Sequence, residues 1–157
     1  MEKPGAASPL APVVSESLVA WWRLDEGEGR EALDSVSGIR DAIANNFGQP
    51  EWRAGVSGSA LVLDGYSTWV VRRAAEAPAL GKAFTLAAWM ALSTYPVNMA
   101  GVISRHRYEK GFMLALSRLG DWGLHAAIGG RWQVVWAPVR LPKERWVHLA
   151  VTFDEEA

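Results

Sequence analysis

From Ser17 onward, short apolar stretches alternate with turn signals at roughly ten-residue spacing, the pattern of an all-β sandwich or barrel. The stretch SLVAWWRL (Ser17–Leu24) alternates, placing Leu18, Ala20, Trp22 and Leu24 on one face of a predicted strand. ALVLDG runs into an Asp64-Gly65 turn ahead of TWVVRR. FTLAAWMALS (Phe84–Ser93), AGVISRHR and GFMLALSR are rich in strand formers. GDWGLHAAIGG enters through Gly120-Asp121 and leaves through Gly129-Gly130, both good hairpin chemistry. WQVVWAPV and WVHLAVTF complete the set. Helix has little room: EAPALGKAF allows a single turn, which Pro78 and Gly81 stop from extending. Strands with tight connections predict a two-sheet antiparallel β-sandwich. Alternating βα units are lacking, so a doubly wound parallel sheet is not available.

Composition sharpens this picture in a few places. A chain of 157 residues is long enough for one domain with a sizeable core. A net charge of −1 argues against electrostatic capture of nucleic acid or of an anionic membrane. No apolar run approaches the ~20 residues of a membrane-spanning helix. Cysteine is absent, which removes disulfides, thiolate nucleophiles and Cys-based zinc sites. The opening MEKPGAASPLAPVV lacks a signal-peptide h-region, and its Pro, Ala, Gly and Ser read as a flexible leader or linker over residues 1–15. The domain itself is placed at 16–157. Nine Trp are many for this length, and they suit either a sandwich interior or a sugar-stacking surface.

Catalytic chemistry is hard to find. His106, His125 and His148 have no metal-ligand spacing and read as strand residues beside aromatics. GVSGS (Gly55–Ser59) fails as a nucleophile elbow because Ser59 stands where the closing Gly belongs. LGKAF lacks the spacing and hydroxyl of a phosphate loop. A retaining glycosidase needs two carboxyls about 5–5.5 Å apart on rigid strands. Here Asp25, Glu26 and Glu28 of LDEGEG lie in a glycine-rich turn. Catalysis by this segment is not expected.

Taken in order, LVAWWRLDEGEGREALDSVSG, GVSGSALVLDG, FTLAAWM, GVISR and ERWVHLAVTFD resemble the laminin-G-like, concanavalin A-like jelly-roll domains found as accessory modules in bacterial carbohydrate-active enzymes. The resemblance runs from Leu18 to Asp154. It implies a jelly roll lacking its last strands, since the family's closing motifs do not follow Asp154. Such an edge would carry unpaired N–H and C=O groups beside VHLAVTF. It also implies calcium, held by loop carboxylates and carbonyls. Asp34, the Gly38 carbonyl and Asp41 in DSVSGIRD are the matching donors, with Asp64 a further one. The competing reading makes Asp34 and Asp64 Asx-turn residues at strand ends.

The resemblance further implies glycan binding through aromatics that flank turns. The candidates are Tyr108, Trp122 and Trp132, with Arg105 among the hydrogen-bond donors. Trp89 and Trp146 belong to regular strand patterns and are expected in the core, and hairpin packing without a ligand is the rival role for Trp122 and Trp132. The functional expectation is a non-catalytic, lectin-like accessory module of a glycoside hydrolase. It would bind polysaccharide or oligosaccharide or pack against the catalytic domain of the same polypeptide, in an extracellular setting. A purely structural domain is the alternative, and a hydrolase in its own right stands behind both.

Overall fold

The computed structural model describes residues 16–156. The leader at 1–15 lies outside the described residues. All regular elements among them are strands, apart from one 3₁₀ turn at Ala74–Glu76. The chain divides into two compact units between Ala79 and Leu80.

In the first unit, β1 (Glu31–Leu33), β2 (Arg40–Asn45) and a later strand form an antiparallel sheet. β3 (Trp52–Ala54) and β4 (Ser59–Leu61) make a separate hairpin, and β5 (Thr68–Val71) completes the order β1-β2-β5. SLVAWWRL does not become a strand. Only Trp22 bridges, to Asp34, and Leu24 takes a left-handed φ of 54° that breaks the extended run. The sequence pattern passed over β2, because its inward positions are Asp41 and Ile43 while Arg40 and Ala42 face out. A carboxylate sits in an apolar slot, so the alternation does not read as hydrophobic.

The second unit is a sandwich. β6 (Ala83–Ala91) pairs with a strand far along the chain. β7 (Ala100–Arg107), β8 (Lys110–Leu116), β9 (Trp122–Ile128) and β10 (Arg131–Trp136) form a meander in the order β10-β9-β8-β7. β11 (Trp146–Asp154) returns to pair with β6 over nine residues. Phe112, Leu114, Leu124 and Ala126 of the meander pack with Leu86, Phe84, Val151 and Phe153 of the β6–β11 pair. The Phe84 ring lies 4.8 Å from Phe112 and 5.2 Å from Phe153, so one aromatic joins the two sheets. A bulge between Gly101 and Ile103 lets both Val102 and Ile103 reach the core. Beside it, Leu116, Leu141 and Leu149 close the core's other end.

Trp89 corrects an expectation. It is 53% exposed and lies on the outer face of the β6–β11 pair, directly across from His148. Their rings are 5.1 Å apart. The inward set of β6 is Phe84, Leu86 and Met90, and alternation sends Trp89 the other way. Trp146 shares that outward register and is half-buried.

Leu114 is fully buried in the middle strand of the meander. Leu114→Ala is therefore expected to cost about 2–5 kcal/mol through a cavity that the flanking strands cannot fill. Urea unfolding of the variant checks this.

Candidate functional site

The meander has two faces, and its register assigns each residue to one of them. Arg105, Phe112, Ala126 and Gln133 stand in line across the four strands on the core side. Ser104, Met113, His125 and Val134 stand in line on the outer side. Further along, His106 and Trp132 share that outer side, across from Gly111 and Ala127. The β7–β8 and β9–β10 hairpins lie at one end of the sheet, so their residues gather there. Met99, His106, Tyr108, Met113, His125 and Trp132 line one shallow depression of about 460 Å³.

Tyr108 is 84% exposed and adopts a left-handed φ of 53° in the β7–β8 turn. The Arg107 guanidinium lies over its ring at 5.6 Å. Trp132 meets His106 edge-on at 5.9 Å. His125 is only 8% exposed and packs edge-on against Trp136 at 5.0 Å. Burial pushes its pKa down, so the ring is neutral at pH 7. Its Nε2 has no hydrogen-bond partner among the described residues, an uncommon state for a buried polar atom.

Of the sugar-binding candidates, the structure brings together Tyr108 and Trp132. Trp122 sits on the opposite face and packs against both core clusters, with its indole N–H buried. Arg105 shares the core-side register of Phe112. His106, His125, Met99 and Met113 were not singled out as binding residues from the sequence. Each is unremarkable in isolation, and only the register sets them side by side.

The metal candidates fall in the first unit, at two separate places. Asp34 is fully buried. Its Oδ1 accepts from the Trp21 and Val36 N–H groups at 2.8 and 3.0 Å, and its Oδ2 from the Ser37 hydroxyl at 2.6 Å and Arg72 at 3.1 Å. Burial alone would raise its pKa. The Ser37, Trp21, Val36 and Arg72 bonds outweigh that and hold it at about 2. Asp41 accepts from Arg72 Nε and Nη2 at 2.6 and 2.7 Å, and from the Trp22 indole at 2.5 Å. Arg72 thus forks across both carboxylates, lies over the Trp22 ring at 5.1 Å, and donates to the Glu76 carbonyl at 3.1 Å. Gly38 donates its N–H to the Asp34 carbonyl. Asp64 is a turn residue. It accepts from the Ser67 hydroxyl and from the Ser67, Tyr66 and Thr68 N–H groups, which hold its pKa well below the usual carboxylate range.

A family model of the concanavalin A-like lectin/glucanases superfamily matches residues 64–157. The chain belongs to this superfamily. No curated protein and no solved structure matches it. The matched span takes in the whole second unit and begins at Asp64, so Asp34, Gly38 and Asp41 lie ahead of it.

Superfamily resemblance had suggested calcium at those residues, but their surroundings do not fit the ion. Ca²⁺ takes six to eight oxygen ligands. Here the carboxylate oxygens of Asp34 and Asp41 are met by N–H and O–H donors and by a guanidinium that already supplies the positive charge. Among the described residues, no group of three or more His, Asp or Glu is placed to hold a metal. Arg72 was missed as a site residue. The available signal was parity, because β5 buries Thr68 and half-buries Val70, and Arg72 is next in that series.

Three predictions test this assignment. Arg72→Met leaves two buried carboxylates without their counter-ion and is expected to cost about 3–5 kcal/mol. The wild-type melting temperature should be the same in millimolar Ca²⁺ and in chelator. The third concerns acid. The folded pKa of Asp34 is depressed from 3.8, so its contribution is present above that value and is lost as pH falls towards about 2. Asp34→Asn should flatten the pH dependence of stability in that window, measured by urea unfolding at stepped pH.

Proposed function

We propose that this chain is a non-catalytic, lectin-like module that holds polysaccharide on the outer face of its meander. One observation carries the reading: exposed Tyr108 and half-exposed Trp132 share a depression with His106 and His125. Sugar rings offer apolar C–H faces to aromatics and hydroxyls to polar atoms, and a binding site for them combines the two. The depression is shallow and open at the sheet's end, which suits a chain lying across it better than an enclosed small molecule. Tyr108 and Trp132 are the stacking residues, and His106 is a hydroxyl partner.

In this reading the module works beside a glycoside hydrolase catalytic domain in the same polypeptide and raises the effective concentration of substrate there. A hydrolase reading is less well supported. A general acid needs a raised pKa, whereas Asp34 is held at about 2 with Arg72 between it and Asp41. The rival reading, a structural or protein-interaction domain, draws on β10. That edge strand has all six residues exposed, including Val135 at 74%.

Affinity electrophoresis on fructans, xylans and β-glucans tests the proposal. The wild type should be retarded by at least one polymer. Tyr108→Ala and Trp132→Ala should each weaken retention by about 1 kcal/mol. Trp122→Ala should instead lower the melting temperature. Unretarded migration on every polymer would overturn the binding reading and favour the structural one.

A further inference from the structure

The first unit contains a small polar cleft that the reading above does not use. It opens where the β2–β3 loop (46–51) and the β4–β5 loop (62–67) meet the end of the β2–β5 pair, and it measures about 150 Å³. That is below the roughly 300–1,000 Å³ of sites for larger ligands. It is room for one ring.

The walls are held in place. Asn45 bonds Thr68 across the strand pair at 2.8 Å and accepts from the Phe47 N–H at 2.9 Å. Arg30 donates to the Gln49 side-chain oxygen at 3.2 Å and to the Gly48 carbonyl. This bond fixes the orientation of the Gln49 amide and leaves its NH₂ without a partner among the described residues. Glu51 accepts from Arg53 through one carboxylate oxygen at 2.7 Å, and the other has no partner among the described residues. The Val62 N–H bonds the Glu51 carbonyl, tying one loop to the other. At the mouth, Phe47 is 86% exposed.

This lining has the composition that a sugar needs. Phe47 offers an apolar face, the Gln49 amide a pair of donors, and Glu51 an acceptor. Asp64 also lines the cleft, and together with Glu51 it makes the wall acidic, which disfavours uronates and other anionic sugars. We propose that the cleft is a second binding site, specific for a single neutral pyranose ring, with Phe47 as stacking face and Gln49 and Glu51 as hydroxyl partners. It belongs wholly to the first unit, and it stands whether or not the meander binds polymer.

Ligand-observed saturation-transfer NMR on the full chain tests it. The probes are methyl glycosides of glucose, galactose, mannose and xylose, with methyl glucuronide as the anionic comparison. At least one neutral glycoside should receive saturation. Phe47→Ala and Gln49→Ala should weaken its binding about three- to tenfold, and Phe47→Trp should retain it. Phe47 is on the surface, so an unchanged melting temperature for Phe47→Ala separates lost binding from lost fold. Trp132→Ala should leave the monosaccharide signal intact even where it reduces polymer retention. The proposal fails if no neutral glycoside receives saturation. It fails equally if Phe47→Ala and Gln49→Ala bind as the wild type does, if Trp132→Ala alone removes the signal, or if glucuronide binds more tightly than glucoside. Polymer retention with no monosaccharide signal would sink this site and leave the meander reading standing.

Discussion

Successive side chains of a strand point to opposite faces, and in the second unit that constraint decides the role of nearly every aromatic. Phe84, Phe112 and Phe153 fall on inward positions and build the contact between the sheets. Trp132 and Trp136 fall on outward positions of β10, one step out of phase with Gln133 and Val135. All three histidines are outward as well, and each ring meets a Trp: His148 with Trp89, His106 with Trp132, His125 with Trp136. A shift of one residue in the β8–β9 register would carry His125 into the core and expose Leu124. The buried apolar face therefore fixes the register, and the register fixes the outer face.

The first unit is held differently. Among its described residues Ala32 and Ile43 are buried apolar ones, and Asp34, Asp41, Ser67 and Thr68 are all buried as well. What joins its pieces is Arg72, at the end of β5. It grips Asp41 on β2 and Asp34 after β1, and it lies over Trp22 from the segment before β1. A buried ion network is a weak source of net stability, because desolvation cancels much of the attraction. It is a strong source of specificity, since any displacement leaves a charge unpaired. With little apolar surface to enclose, geometry set by charge is what keeps these short strands in one arrangement.

The same contrast explains what the sequence could reveal. β6 to β11 are legible as strands because most of their inward residues are apolar and two of the meander's turns carry Gly120-Asp121 and Gly129-Gly130. β1 to β3 are not, because Asp41 occupies an inward position and the three-residue strands Glu31–Leu33 and Trp52–Ala54 are too short to show a period. The aromatic candidates were chosen for their nearness to turns, which is a poor guide to face. The two-residue Gly129-Gly130 turn pairs Arg131 with Ile128 and so Trp132 with Ala127, five residues from Trp122. Five is odd, so Trp122 and Trp132 lie on opposite faces. That inference was within reach of the sequence. The convergence of His106, His125, Met99 and Met113 was not, because it depends on which strands are neighbours.

Tyr108 is the first residue of the two-residue turn between β7 and β8, where a tight hairpin calls for a left-handed backbone. A left-handed backbone costs a non-glycine residue about 1–2 kcal/mol, and a ring 84% exposed recovers little of that through burial. Glycine at this turn position would relieve the strain, as Gly111 does three residues later with a φ of 103°. The Arg107 contact is a surface cation–π pair, worth about 0.5–1 kcal/mol, and does not close the gap. The turn accounts for the backbone of Tyr108, and its exposed ring borders the depression that His106, His125 and Trp132 also line. A packing role accounts for the burial of the Trp122 ring, although its indole N–H has no hydrogen-bond partner among the described residues. For the Tyr108 ring, 84% exposed at the edge of the depression, packing accounts for little, and that contrast in burial is why the proposed stacking face includes Tyr108 and leaves out Trp122.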